Sequence, residues 1–440
     1  MTTELQNRGW AARARLRLAN VLLVLGLTVV ATTVMPAQTY RILHNFRPAT
    51  GAQPFAPVLV DSTGKVYGTT TYGGVLSCDS TRRGCGTVFK RDKGVETVLH
   101  RFSFDDGAWP TGPLLRDAVG NLYGAAPHGG NTAGRCGDYF GCGVVFKIDP
   151  TGTYTALYRF KGGRDGLLPY GPLVADSAGN LYGATYIGGD LSCPAPYIDP
   201  YGCGTIFKID NTGKHSVVYR FKGGARDGVF PNGVSLRIDG NLYGTTLQGG
   251  VGTVCFDSFP GCGIVFKIDA NGKETVLHRF TGVQDGGNPQ GNLVRDSTGN
   301  LYGVTEIGAF GYGTVFKLNP SATVTTVTTL YNFTGGTDGW GPMNVVGDES
   351  GNLYGTAVYG GDLSCNLPFG CGVVFKIDAA GQETVLHTFT SFPDGALPES
   401  GVVRDSAGNL YGTAIYGGNQ RFDCFGSYNT GCGILFKITP

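Results

Sequence analysis

Charge is scarce in this sequence. Asp, Glu, Lys and Arg supply 15% of 440 residues, and their formal balance is +1. No basic cluster occurs beyond the first 38 residues, so the electrostatic footprint of nucleic-acid binding is missing. The longest apolar run, Val21 to Met35, has about 15 residues against the roughly 20 that a membrane span needs. No G-x-S-x-G elbow, phosphate-binding glycine loop, helical histidine pair, DxDxDG loop or sialidase-type aspartate box is present. Nucleophilic hydrolysis, nucleotide chemistry and the common metal centres therefore have no signature, and neither cofactor nor metal is expected. Helical periodicity is also absent after the first 38 residues.

Glycine is what the chain has in excess, at 74 of 440 residues, more than twice the usual share. The glycines fall in short turn phrases between apolar runs and show no period of three. That pattern predicts turn-rich β structure, not a linker or a collagen. The N-terminus is a separate object. Arg8, Arg13, Arg15 and Arg17 precede the apolar run, and "PAQ" follows it. This is the layout of a secretory signal, expected to be cleaved after Ala37, with an uncleaved anchor as the alternative. Residues 1–37 are read as signal peptide and 38–440 as the folded domain, secreted to an extracellular or periplasmic space with no further membrane span.

The phrase "DSAGNLYGTAIYGG" begins at Asp405, with near-copies at Asp61, Asp117, Asp176, Asp296 and Asp348. Its tyrosines are Tyr67, Tyr123, Tyr182, Tyr243, Tyr302, Tyr354 and Tyr411, spaced 52 to 61 residues apart. Each copy reads as four short strands, shown in the third repeat by "LVADS", "NLYGATY", "GTIFKID" and "HSVVYRF". Four strands per unit at this period is a propeller pattern. Two phenylalanine columns are expected to pack between blades. One is Phe89, Phe146, Phe207, Phe266, Phe316, Phe375 and Phe436; the other is Phe46, Phe102, Phe160, Phe221, Phe280, Phe333 and Phe389. The domain opens with "YRILHNF", a fourth strand without a third, and ends with "GILFKITP", a third without a fourth. The expected fold is all-β: a seven-bladed β-propeller of four-stranded blades, the last blade closed by the N-terminal strand. An open solenoid is the alternative.

The phrases "DSAGNLYGTTxxGG", "GxGTVFKID" and "ETVLHRFTGGxDGxxP" together resemble the Gloeo/Verruco (GloVer) tandem repeat of bacteria. The resemblance covers Tyr40 to Pro440 and implies an exported β-propeller-like protein with no assigned activity. "NLYxxxxxGG" is also a little like kelch repeats, but the kelch tryptophan is missing.

Twelve cysteines fall in pairs, each bracketing the loop between second and third strands: Cys78 with Cys85, Cys136 with Cys142, Cys193 with Cys203, Cys255 with Cys262, Cys365 with Cys371, and Cys424 with Cys432. The fifth repeat has lost both cysteines, and Tyr312 stands at the place of the second. Joint presence and joint absence predicts local disulfides, and the spacings do not suit zinc. Each bridge is worth roughly 2–3 kcal/mol in the chain-entropy model and requires an oxidising compartment.

In such a meander the braced loops share a face with the fourth-to-first connections. Variable loops on a rigid scaffold are where binding concentrates. The candidate binding residues are Trp109, Trp340, Tyr197, Tyr201, Phe256, Phe259, Phe422 and Tyr428; the bland alternative is that such rings cover their own loops. Other candidates for chemistry read as structural. His44, His100, His278 and His387 share a position with Tyr158, Tyr219 and Tyr331, and a catalytic base cannot be exchanged for a phenol. The D-G aspartates, Asp106, Asp165, Asp227, Asp285, Asp338 and Asp394, read as tight turns. The lysines of "FK", from Lys90 to Lys437, read as strand decoration. The expected function is non-catalytic binding or scaffolding, with an unidentified protein or glycan as partner and no nucleic acid. The alternative is a polysaccharide-active hydrolase or lyase using loop acids such as Asp106 or Asp338. A closed ring has no edge that demands a partner, so a monomer is expected.

Overall fold

A computed structural model describes residues 38–439, apart from 79, 81, 194–201, 251–253, 257–258, 322–324, 367, 420–423 and 425–430. Seven four-stranded antiparallel sheets form the blades of a β-propeller; six keep their strands in chain order, and the seventh adds the first strand of the domain at its outer edge. In the third blade the strands are Leu167–Ala175, Leu181–Ile187, Thr205–Ile209 and His215–Arg220. The seventh blade takes Val402–Arg404, Leu410–Ala414 and Ile434–Thr439 from the C-terminal end and completes itself with Thr39–Asn45. Tyr40 pairs with Ile438 and Asn45 with Ile434, so the first described strand closes the ring.

Phenylalanine holds neighbouring blades together. The fourth-strand ring of each blade meets the third-strand ring of the next edge-on, from Phe46 on Phe89 round to Phe389 on Phe436, with centroids 5.1–5.4 Å apart. All fourteen rings are at most 1% exposed. Edge-to-face pairing adds to the burial of so much apolar area. The glycine after each repeat tyrosine follows from the same ring. Gly183 pairs with Phe207, and a Cβ there would lie 2.6 Å from the Phe207 ring. The inner strand crowds it as well, with Leu173 2.7 Å from the same Cβ.

Each blade also bulges beside this phenylalanine, for example between Ile206 and Phe207, which turns the fourth strand toward its neighbour. Aspartate closes the first turn of the phrase. In the third blade Asp176 accepts the backbone N–H groups of Ala178 and Asn180, the Asn180 amide and the Tyr182 hydroxyl. Burial alone would raise the Asp176 pKa, but these donors to the carboxylate outweigh it and lower it.

The first strands differ from expectation. In the third blade the inner strand begins at Leu167, within a stretch read as connection, and in the sixth it begins at Trp340. Pro169 and Pro342 made these stretches look like loops. An innermost strand tolerates proline because one of its edges pairs with nothing.

Candidate functional site

Each of the six D-G-x-x-P phrases, and the T-G-A-Q-P of residues 50–54, places the same backbone device at the inner end of a blade. The residue before the proline is left-handed in each case: Gln53, Trp109, Leu168, Phe230, Asn288, Gly341 and Leu397, with φ between 51° and 67°. Only one of these seven is glycine, although bulky residues resist this conformation. A hydrogen bond holds it. Each N–H donates to the carbonyl of the second cysteine in the preceding blade, as Trp109 does to Cys85 and Leu168 to Cys142, or to Tyr312 where no cysteine exists. The proline then lies over the glycine that follows that cysteine. A Cβ on Gly204 would sit 2.5 Å from Pro231.

All six expected disulfides are formed. They pack beneath the fourth-to-first connections, where a Cβ on Gly223 would lie 2.8 Å from the Cys203 sulfur. In the fifth blade the Tyr312 ring fills that place, 2.6 Å from a Cβ on Gly335. Each brace thus supports both its own loop and the left-handed residue of the next blade.

The residue after each proline lines the axial channel. These are Phe55, Thr111, Tyr170, Asn232, Gln290, Met343 and Glu399, one from every blade, around a cavity of about 110 Å³. Glu399 is the only charged side chain on this lining. Among the described residues its carboxylate has no hydrogen-bond or ion-pair partner, and burial pushes its pKa up to about 7. Tyr170 stands deep in the ring yet keeps 42% of its surface open to the channel. Burial, and then the Glu399 charge, push its phenol up. Asn232 donates its amide to the Pro289 carbonyl, and Gln290 donates to Glu306 at 3.0 Å.

The channel opens into a groove of about 490 Å³ on the loop-bearing face. Tyr72, Trp109, His128, Tyr170 and Tyr186 supply its rings, and Thr71, Thr111, Asn232 and Gln290 its neutral polar groups. Tyr72 and Trp109 also border a second hollow of about 360 Å³ with Arg83, Phe104 and Phe140, which extends the groove outward. Trp109 is fixed by donating Nε1–H to the Gly84 carbonyl at 3.1 Å and by ring contacts to Phe104, His128 and Phe140. Trp340 packs among Tyr312, Tyr359 and Phe369 on the opposite side of the ring. Phe140 is 63% exposed and Phe369 45%, so these clusters present rings to solvent as well as covering loops. A larger hollow of about 730 Å³ lies between the fifth and sixth blades on the other face, but its walls are the repeated turns at Asp296 and Asp348.

Of the expected binding residues whose side chains are described, Trp109 is on the groove and Trp340 begins an inner strand. Phe256 and Phe259 pair in a small ribbon, Val254–Phe256 with Phe259–Pro260. Tyr197, Tyr201, Phe422 and Tyr428 lie outside the described residues. The acids of the enzymatic alternative are occupied. Asp106 accepts from the Ser103 N–H and contacts His100 Nε2, and Asp338 accepts from the Thr334 N–H and the Tyr331 hydroxyl. The same pairing explains why histidine and tyrosine interchange: either ring reaches the D-G carboxylate, as His278 does to Asp285 and Tyr158 to Asp165. Lys208, Lys317 and Lys437 stand over the repeat tyrosines of the paired strand. Tyr72, His128, Tyr170, Tyr186 and Glu399 did not stand out from the sequence. The signal that marks the channel residues is the D-G-x-x-P column, whose next position is variable.

Among the described residues, no cluster of His, Cys, Asp and Glu has a metal-binding arrangement, and no helix is long and apolar enough to cross a membrane. Virginiamycin B lyase from Staphylococcus aureus is similar in fold, with 12% identity, a TM-score of 0.55, and coverage of 91% of this chain and 100% of the lyase. A catalytically inactive variant of that lyase with quinupristin gives 13%, 0.56, 92% and 99%. A gluconolactonase from Xanthomonas campestris aligns at 12% identity over 91% of this chain and 89% of its own, with a TM-score of 0.43. At these identities the likeness to the lyase shows the fold alone. No curated protein matches the chain. The Gloeobacter/Verrucomicrobia repeat matches residues 28–255 and again 251–440, and the chain therefore belongs to that repeat family.

Proposed function

We propose that this protein is an exported, non-catalytic binding module that holds a glycan in the groove on its disulfide-braced face. The observation that carries the reading is continuity. Aromatic rings and neutral amides form one depression running from Phe140 to the channel, built where the repeats differ from one another. Flat rings beside amide and hydroxyl groups suit sugar faces and their hydroxyls. The disulfides and the secretory layout of residues 1–37 agree with an oxidising, extracytoplasmic location. A glycan array probed with residues 38–440 tests the reading. Trp109→Ala is expected to weaken binding at least about tenfold, the loss of a central ring contact. Binding unchanged in both Trp109→Ala and Tyr186→Ala would remove the groove from the account.

A polysaccharide-active enzyme is the second reading, and Glu399 is the observation that favours it. A carboxyl with a pKa near 7 suits a general acid. In this reading Glu399 replaces Asp106 and Asp338, whose carboxylates the turns consume. Release of reducing ends from a bound polysaccharide by the wild type, abolished in Glu399→Gln, would establish it; binding without turnover sustains the first reading.

A further inference from the structure

We propose that the mouth of the axial channel selects a glycan bearing a free primary amine, with Glu399 pairing its ammonium while the groove stacks its sugar rings. This rests on the glycan reading above and adds the chemistry of the ligand. The charge around the mouth has one sign. Glu399 is the single charged group on the channel lining, and Glu306 adjoins it through Gln290. Arg83 stands over the Tyr72 ring, 5.7 Å from its centroid, in the second hollow with Phe140 and not on the channel lining. A carboxylate taken out of water without a partner is unfavourable, and an incoming cation relieves that.

Size and shape agree. The channel cavity of about 110 Å³ admits an amine with a few waters, and the groove of about 490 Å³ is wide enough for sugar rings. An ammonium beside the Glu399 carboxylate, with the Tyr170 ring on the same lining, gains from charge pairing and from the ring face together.

The test compares two probes at pH 7.5 by calorimetry: a glucosamine tetramer and its fully N-acetylated counterpart. The wild type is expected to prefer the free-amine tetramer by about tenfold or more, one charge-assisted contact. In Glu399→Gln that ratio is expected to fall toward one, with near-ultraviolet circular dichroism verifying that the variant is folded. Equal affinity of the wild type for both tetramers overturns the amine inference and leaves the glycan reading standing. Retention of the preference in folded Glu399→Gln overturns the role of Glu399. Binding of neither tetramer, with Glu399-dependent binding of tetralysine, overturns the glycan reading as well and makes the partner a basic peptide.

Discussion

Two columns of the ring contrast sharply. The third-strand column between blades is phenylalanine in all seven copies, and every ring is buried to within 1% of complete. The column that follows the D-G-x-x-P proline is Phe55, Thr111, Tyr170, Asn232, Gln290, Met343 and Glu399, seven different residue types. Both occupy equivalent places in every blade, so the backbone does not explain the difference. What the side chain meets does. The first column faces another blade at fixed distance, where one shape fills the gap. The second faces the axis and the groove, where packing sets no requirement.

The contrast is most exposed to a substitution in each column. Phe207→Ala is expected to lower stability by about 3–5 kcal/mol, the usual effect of emptying a packed aromatic site. Met343→Ala, on the channel, is expected to lower it by less than about 1 kcal/mol. Midpoints of chemical denaturation measure both. A comparable loss at Met343 would show that the channel column is also packed core, and the division between scaffold and site would fail.

The disulfides sharpen the contrast at the next level. Replacing Cys136 and Cys142 by serine is expected to destabilise the protein by roughly 2 kcal/mol in the chain-entropy model. A local consequence should accompany it, because the Cys142 carbonyl holds the left-handed Leu168. Hydrogen exchange should therefore rise at the Leu168 amide, on the next blade, as well as within residues 131–143. Exchange confined to the loop would mean that the brace does not reach across blades.

The fold was legible because the packing column repeats. A phenylalanine every repeat, a turn phrase before it, and an unpaired strand at each end of the domain were enough to place seven blades and their closure. The site was only partly legible, for the complementary reason: residues that do not repeat leave no column to notice. Trp109 and Trp340 drew attention as rare, large residues, whereas Glu399 is one acid among 33 Asp and Glu. Its isolation depends on six neighbours from other blades, which no local spacing encodes. The prolines obscured the inner strands in the same way, since a residue that marks a loop elsewhere here lies over the glycine of the preceding blade.

A third column breaks the simple division and supplies the smallest effect. The outer junction residues Tyr40, Glu96, Tyr154, His215, Glu274, Val327 and Glu383 vary, although they belong to the scaffold. Their variation is compensated locally. Beside His100 and His387 the junction residue is tyrosine, stacked on the imidazole at 4.1 and 3.7 Å, and beside His44 it is Glu96, 3.3 Å from Nε2. Tyr158 stacks on His215, whereas Tyr219 and Tyr331 each meet a second acid. The Tyr219 hydroxyl lies 3.0 Å from Asp227 and 3.4 Å from Glu274, and Tyr331 bonds Asp338 near Glu383. Burial, and then the charge of the neighbouring aspartate, push Glu274 and Glu383 each up to about 7. The folded protein therefore holds these protons more tightly than the unfolded chain, whose glutamates titrate near about 4.3. Their stabilisation is complete below that value and is lost as pH rises toward 7. His215 opposes this: burial lowers its pKa, so it favours the folded state more as pH rises through its ordinary range. The turn aspartates, with lowered pKa values, matter only in more acidic solution. The thermal midpoint should accordingly fall by on the order of 2 °C more between pH 5 and pH 8 in the wild type than in a Glu274→Gln, Glu383→Gln double variant. Identical pH profiles would mean that these junctions stay ionised, and that a varying scaffold column needs no shared proton to be tolerated.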